Sequence, residues 1–317
     1  MKNSLLGSCL FVWFVLSAGC INPLPGSVEA TASEPAAIAL IEASAQAHGG
    51  DERFARVREI EVGYDGEWLG RVWVFQPILV DRGFRKASVE TIRYADNAWP
   101  STHQVHNGPE GVKRVRWPAE ARSLASDEAE SAFVEPVAGG AAVLYNGEPT
   151  SDEPLRARQE QAAAMVAEAY RMFLTAPFYF TQRAGRGGDG RATMIAVMSE
   201  PDVVDGVDCD QVLLEVRPGF GDSEVDRVQV AIGRDDRLVR RVRFSLEGFD
   251  GTRGATADIE LAGHVDVAGL TLPTRFLEIV THPIDREVHR WRAQFIGLQL
   301  DSPNDADAWH EAEGTAE

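Results

Sequence analysis

Cysteine is scarce in this chain: there are three in 317 residues, at positions 9, 20 and 209. That is too few for the disulfide framework of a small secreted scaffold. Basic residues are also in deficit. Lys and Arg total 31 against 49 Asp and Glu, a formal charge of −18, which excludes a nucleic-acid binder because phosphate backbones recruit surplus Lys and Arg. No apolar run reaches the roughly 20 residues that a membrane-spanning helix takes. Catalytic strings are missing too. No G-x-S-x-G nucleophile elbow occurs, so a Ser-His-Asp hydrolase has no placed serine, and the acidic C-terminus lacks calcium-loop spacing. What is present is 44% apolar content, much of it alternating, which a wholly disordered chain would not carry.

The first twenty residues form an address. Lys2 supplies a positive start, and Leu5–Leu16 is an almost unbroken apolar run, too short to span and of secretory length. It ends in Leu16-Ser17-Ala18-Gly19-Cys20, which resembles a bacterial lipobox with Ser17 where leucine is more usual. On this reading residues 1–19 are a lipoprotein signal peptide and Cys20 carries the lipid, anchoring the chain to a membrane with several acyl chains. The competing reading is an ordinary signal peptide with an incidental cysteine. Ile21, where inner-membrane retention would place aspartate, favours the outer membrane, facing the periplasm. Residues 20–35, with Pro23, Pro25 and Pro35, read as a tether. Cys209, between Asp208 and Asp210, is expected to be a buried structural thiol rather than a nucleophile.

A single body is expected over 36–300. Ile38, Ile41 and Ala45 recur at helical spacing and Gly49-Gly50 stops that helix at about 48. Asp51 caps a short second helix. The period then changes to two: Ile60 and Val62, Val72–Phe75, Val89–Tyr94, Val112–Trp117 and Ala141–Tyr145 read as strands. Residues 119–140 read as a loop. A long helix is predicted over about 153–174, with Ser151 or Asp152 as N-cap, Pro154 in its first turn and Pro177 as its stop. Seven further strands between 190 and 300 alternate wet and apolar positions, as Val242, Phe244 and Leu246 do with Arg241, Arg243 and Ser245. That is the pattern of an antiparallel sheet with one buried face. Residues 301–317 hold six acidic groups and no Lys or Arg and read as a solvated, disordered tail. The fold class is α+β: a strongly curved antiparallel sheet of about eleven strands with helices over its concave face.

Several segments together resemble the lipoprotein-sorting-like envelope proteins. They are Ala45–Gly50 followed by Phe54, Val57 and Ile60; Leu174–Phe180; Gly206 to Val216 around Cys209; Asp226–Ile232 with Leu238–Val242; and Gly269–Thr274. The resemblance covers about 36–300 and includes no catalytic string. It implies the half-open β-barrel of the Lol carrier and receptor proteins, with helices plugging a cavity that holds acyl chains.

Other constellations are weaker. His103 and His106 sit three apart, which in a strand puts them on opposite faces, a poor geometry for a metal. His264 with Asp266, and Asp285 near His282 and His289, could form hydrogen-bonded pairs. Gly185–Gly190 lacks the Lys-Ser/Thr ending of a phosphate loop and reads as a turn. No metal or cofactor is called for. The aromatics Tyr64, Trp68, Trp73, Phe75, Phe178, Phe180, Trp291 and Phe295 are the candidate lining of an apolar cavity, with Phe178–Phe180 at its mouth; their plainer role is sheet–helix core. The expected function is a non-enzymatic, membrane-anchored envelope lipoprotein holding a lipid or acyl chain. The alternatives are an envelope protein-interaction module without a cavity, and an envelope hydrolase.

Overall fold

The computed structural model describes residues 24, 33–94, 100–118, 140–185, 191–198, 200–301 and 309–314. The signal segment, Cys20, the loop expected over 119–140 (except residue 140) and most of the Gly185–Gly190 turn lie outside the described residues.

Pro35 opens α1 (Pro35–Ala47), where its fixed φ suits a first helical turn. Ala37, Ile41 and Ala45 form its buried side. The helix stops where expected, because Gly49 and Gly50 take φ of +115° and +90°. One further turn, α2 (Asp51–Phe54), drives Phe54 into the core. In β1 (Val57–Trp68) Ile60, Val62 and Tyr64 are buried while Glu59, Glu61 and Asp65 remain partly exposed.

The strand expected at Val72–Phe75 is instead the helical turn α3 (Val72–Phe75), followed by α4 (Pro77–Val80). Their β-branched and aromatic content favours a strand. Gly70 at φ +62° and Pro77 at the start of α4 break the extended path on both sides. Trp73, Val74 and Phe75 are therefore exposed by 41%, 51% and 78%.

A meander follows: β2 (Ala87–Arg93), β3 (Ser101–Gly108), β4 (Gly111–Trp117) and β5 (Ala142–Tyr145). Apolar alternation does not reveal β3, because its buried side chains are Thr102, Gln104 and His106. The long helix α5 (Glu153–Thr175) begins as its sequence predicts, with the Asp152 carboxylate accepting the Leu155 N–H at 2.8 Å. A short helix α6 (Phe178–Gly185) turns away from it.

The second meander runs through β6 (Arg191–Val197), β7 (Asp202–Val204), β8 (Val207–Arg217), β9 (Asp226–Gly233), β10 (Val239–Ser245) and β11 (Thr256–Ala262). A separate hairpin of β12 (Val265–Val267) and β13 (Leu270–Leu272) precedes β14 (Arg275–His282) and β15 (Arg286–Leu300). The acidic tail is a partial correction: Trp309–Glu313 form β16, antiparallel to β15. A Cβ on Gly297 would lie 1.9 Å from the Trp309 ring, so the indole is seated where β15 has no side chain.

Fourteen strands make one open antiparallel sheet in the order β5-β4-β3-β2-β1-β15-β14-β11-β10-β9-β8-β6, with β16 on β15 and β7 on β8. The expected fold class stands, with more strands than the expected eleven. The main core lies between one face of this sheet and α1, α5 and α6. Burial of this extent is the dominant favourable term in folding.

Candidate functional site

Between α5 and the helix-facing side of the sheet lies a cavity of about 90 Å³, roofed by α3 and α4. Its walls are apolar: Met165, Ala169 and Phe173 from α5 face Phe244, Val280 and Val288 from the strands. Two smaller spaces adjoin it, and Arg85 lines all three. Among the described residues no helix is long and apolar enough to cross a membrane, and no group of three His, Cys, Asp or Glu could hold a metal ion.

The floor is an aromatic column. Trp68 stacks on His289 at 3.9 Å between ring centroids, His289 on Trp291 at 4.6 Å and Trp291 on Phe276 at 5.1 Å. The three interplanar angles are 8°, 17° and 7°. The antiparallel register sets this up, since it pairs Trp68 with His289 and Phe276 with Trp291, and such cross-strand neighbours lie within ring-contact reach. Tyr170 of α5 meets Trp291 edge-on at 5.1 Å.

Arg85 crosses the end of this column. Its guanidinium carbon lies 5.3 Å from the Trp68 ring centre and 5.6 Å from that of Tyr170, within cation–π range. One amino group donates to the Leu79 carbonyl of α4. The other donates to the Tyr170 hydroxyl at 3.0 Å. Arg85 enters no salt bridge among the described residues.

The acids beside it are not ordinary carboxylates. Burial pushes Glu90 up to about 7, against hydrogen bonds from Gln104 and Ser88 and the Arg85 charge. Burial likewise raises Glu278 to about 7, opposed by Arg85. The Glu278 side chain keeps 21% of its surface, but desolvation of the charged form still prevails. His289 lies 4.0 Å from Glu278, yet burial and then Arg85 hold its pKa well below 6.5. The imidazole is therefore neutral and the contact is not an ion pair. His106, also neutral through burial, bonds to Gln104 at 3.3 Å. Further along, Asp81 takes Lys113 at 2.7 Å and the Tyr145 hydroxyl at 2.9 Å.

The expected cavity residues separate into groups. Tyr64, Trp68 and Trp291 come together around Arg85 and Tyr170. Trp73 and Phe75 lie on the exposed outer side of α3 rather than on a strand. Phe178 and Phe180 are fully buried, with Phe178 stacked on Phe54 at 4.3 Å, so they are packed core and not a mouth. Phe295 lies against Gly63, where a Cβ would come within 2.3 Å of its ring. Sequence reasoning missed Arg85, Glu90, Tyr170, Phe276, Glu278 and His289 as a group. The available signal was polar residues at inward strand positions, as with Glu90 two residues before Ile92.

His48 and His264 meet edge-on at 5.7 Å between ring centroids. His48 accepts the Val239 N–H at 3.1 Å through Nε2 and contacts the Thr271 carbonyl at 2.7 Å through Nδ1. Asp266 accepts the Gly269 N–H at 3.0 Å. Ser88 and His106 face each other across β2 and β3, but Ser88 turns to Glu90 and His106 to Gln104, so this pair lacks the nucleophile–base bond of an acyl-transfer site. Cys209 is buried, and burial pushes its thiol up, away from the reactive thiolate.

A larger groove of about 770 Å³ crosses the sheet face turned away from the helices. Asp65, Glu67, Leu277, Arg290 and Arg292 floor it, and the β7–β8 turn walls one side. Several of its charges satisfy one another: Arg292 meets Asp65 at 3.2 Å and Arg290 meets Glu67 at 3.6 Å. Arg85, on the inner side, forms no such ion pair among the described residues.

No protein-family model matches the chain, and no curated protein matches it. Three solved structures are similar. A Vibrio parahaemolyticus domain described as an outer membrane lipoprotein-sorting protein shares 10% identity at a TM-score of 0.36, over 83% of this chain and 94% of that one. A LolA-superfamily protein from Nitrosomonas europaea shares 12% identity at 0.35, over 83% and 95%. A DUF1329-family protein from Desulfovibrio piger shares 10% identity at 0.30, over 83% and 94%. At such identities no residue of the cavity has a counterpart to borrow a role from.

Proposed function

We propose that this protein is a non-enzymatic envelope lipoprotein, anchored through Cys20, that binds a hydrophobic ligand between its sheet and α5. The observation that carries the reading is the aromatic-floored apolar cavity beneath α3 and α4. Its about 90 Å³ falls short of the about 300–1,000 Å³ typical of small-molecule pockets, so loading requires the roof to lift. The roof is suited to that: two four-residue helices, neither with a side-chain cap, the first exposing Trp73, Val74 and Phe75. Such short helices draw their stability from packing rather than from their own hydrogen bonds.

The test is the full chain carrying Cys20→Ser, expressed with export, purified without detergent and examined by native mass spectrometry and lipid extraction. A co-purifying apolar ligand in stoichiometric amount is expected. A clean unliganded protein that also fails to take up a fluorescent fatty acid would sink the reading. A second reading, an envelope protein-interaction module, is favoured by one feature, the outer groove of about 770 Å³. Salt-sensitive retention of an envelope protein, lost on reversing the charge of Arg290, would support it.

A further inference from the structure

Three features converge on one end of the cavity. Arg85 is a permanent cation stacked between Trp68 and Tyr170, and its two hydrogen bonds go to a backbone carbonyl and a phenol, both uncharged. It lines every interior space of the site. A partly buried cation that forms no salt bridge among the described residues carries a desolvation cost that an incoming anion would relieve. A guanidinium presents its donors as a planar fork that suits carboxylate and phosphate oxygens.

Beyond Arg85 the chemistry becomes apolar along one direction. Met165, Ala169 and Phe173 on α5 face Phe244, Leu246 and Val280 on the sheet. The site thus has a charged end and an oily end.

We propose that the ligand is a single-chain amphiphile with an anionic head group, its oxygens on the Arg85 guanidinium and its chain between α5 and β10, β14 and β15. This rests on the cavity-binding reading above and names its ligand class. The head group exchanges with the Leu79 carbonyl as an acceptor for Arg85, so that binding and loosening of α4 go together. The neighbouring acids do not oppose it. With burial raising Glu90 and Glu278 to about 7, both are largely protonated in mildly acidic solution, and Glu278 can donate its O–H to the head group. Neutral His289 and the Tyr170 hydroxyl complete the polar end.

The experiment uses the full chain carrying Cys20→Ser and a neutral environment-sensitive dye, displaced at pH 6 by dodecanoate, dodecyl phosphate or dodecanol. At least tenfold tighter binding of one or both anions than of the alcohol is expected. Preference for the carboxylate alone assigns a fatty-acid-like source, and for the phosphate alone a phosphoryl lipid; either supports the proposal. Arg85→Met should abolish the preference and leave dodecanol binding in place, whereas Arg85→Lys should retain most of it. If wild type binds all three equally, the head-group proposal fails and cavity binding stands. If none of the three displaces the dye and the dye itself does not bind, cavity binding fails as well. Should Arg85→Met not fold by circular dichroism, the ratio in the wild-type cavity still decides.

Discussion

Trp68 and His289 stack at 3.9 Å with their rings 8° from parallel, although 220 residues of sequence separate them. Their pairing across β1 and β15 builds the cavity floor out of the two strands that join the halves of the sheet. Trp68→Ala should therefore weaken dye binding about tenfold, and it should lower stability by about 3 kcal/mol, the usual range for an aromatic deleted from a packed setting. Urea unfolding and dye titration check both, and a variant that binds like wild type would show that the column is structural only.

Glu90 makes stability depend on pH in a defined direction. Its folded-state pKa near 7 stands above the ordinary 4.5. Between those values the folded chain keeps a proton that the unfolded chain has released, so stability falls as pH rises through the window. Below about 4.5 the contribution is whole, and above about 7 it is lost. Glu90→Gln removes this dependence, and the variant should gain on wild type by about 3 kcal/mol between pH 4.5 and 8, at 1.36 kcal/mol per pKa unit. His48 and His264, lowered by burial to about 4, act oppositely, costing stability as pH falls below 6.5, and they are common to both proteins. Parallel curves of stability against pH for the two proteins would refute the assignment.

Phe75 is 78% exposed on the roof, so Phe75→Ser should change stability by less than about 0.5 kcal/mol. If α3 and α4 lift to admit the ligand from a lipid surface, the same substitution should slow transfer of dye from vesicles severalfold. Stopped-flow fluorescence reads this, and an unchanged rate would separate α3 from the loading route.

Gly63→Ala tests the packing on the other side of β1. The added Cβ would lie 2.3 Å from the Phe295 ring, forcing the ring or the strand to shift. A loss of about 1–3 kcal/mol is expected, without change in the dodecanoate-to-dodecanol ratio, because the added Cβ points to the face of β1 opposite Tyr64 and the cavity.

Much of the sheet was legible in the sequence because its wet face advertises itself. Arg243 alternates with Val242 and Phe244, and its guanidinium meets Asp258 at 2.6 and 2.8 Å on the next strand. Helix α5 was legible through Asp152 and Pro154. The cavity was legible only in part. Aromatic content pointed to Trp68 and Trp291 but also to Phe178 and Phe180, whose environment is solid core. Arg85, Glu90, His106 and Glu278 carry no apolar signal, and a polar residue facing inward shows itself only by its spacing from an inward apolar neighbour, as Glu90 from Ile92. Trp73 and Phe75 were misplaced because local strand preference was overruled by Gly70 and Pro77.

The strand order has a consequence for how the chain acquires its structure. β1 to β5 form one meander and β6 to β15 another, and the seam between them is the pairing of β1 with β15, Val57 meeting Leu300. Contacts so distant in sequence must close a long loop before they stabilise anything, which slows folding. An emerging chain would carry β1 with a bare edge until the last long strand arrives, and exposed strand edges invite mispairing. A chaperone that shields this edge until β15 arrives would be acting at the one join on which both the sheet and the floor of the cavity depend.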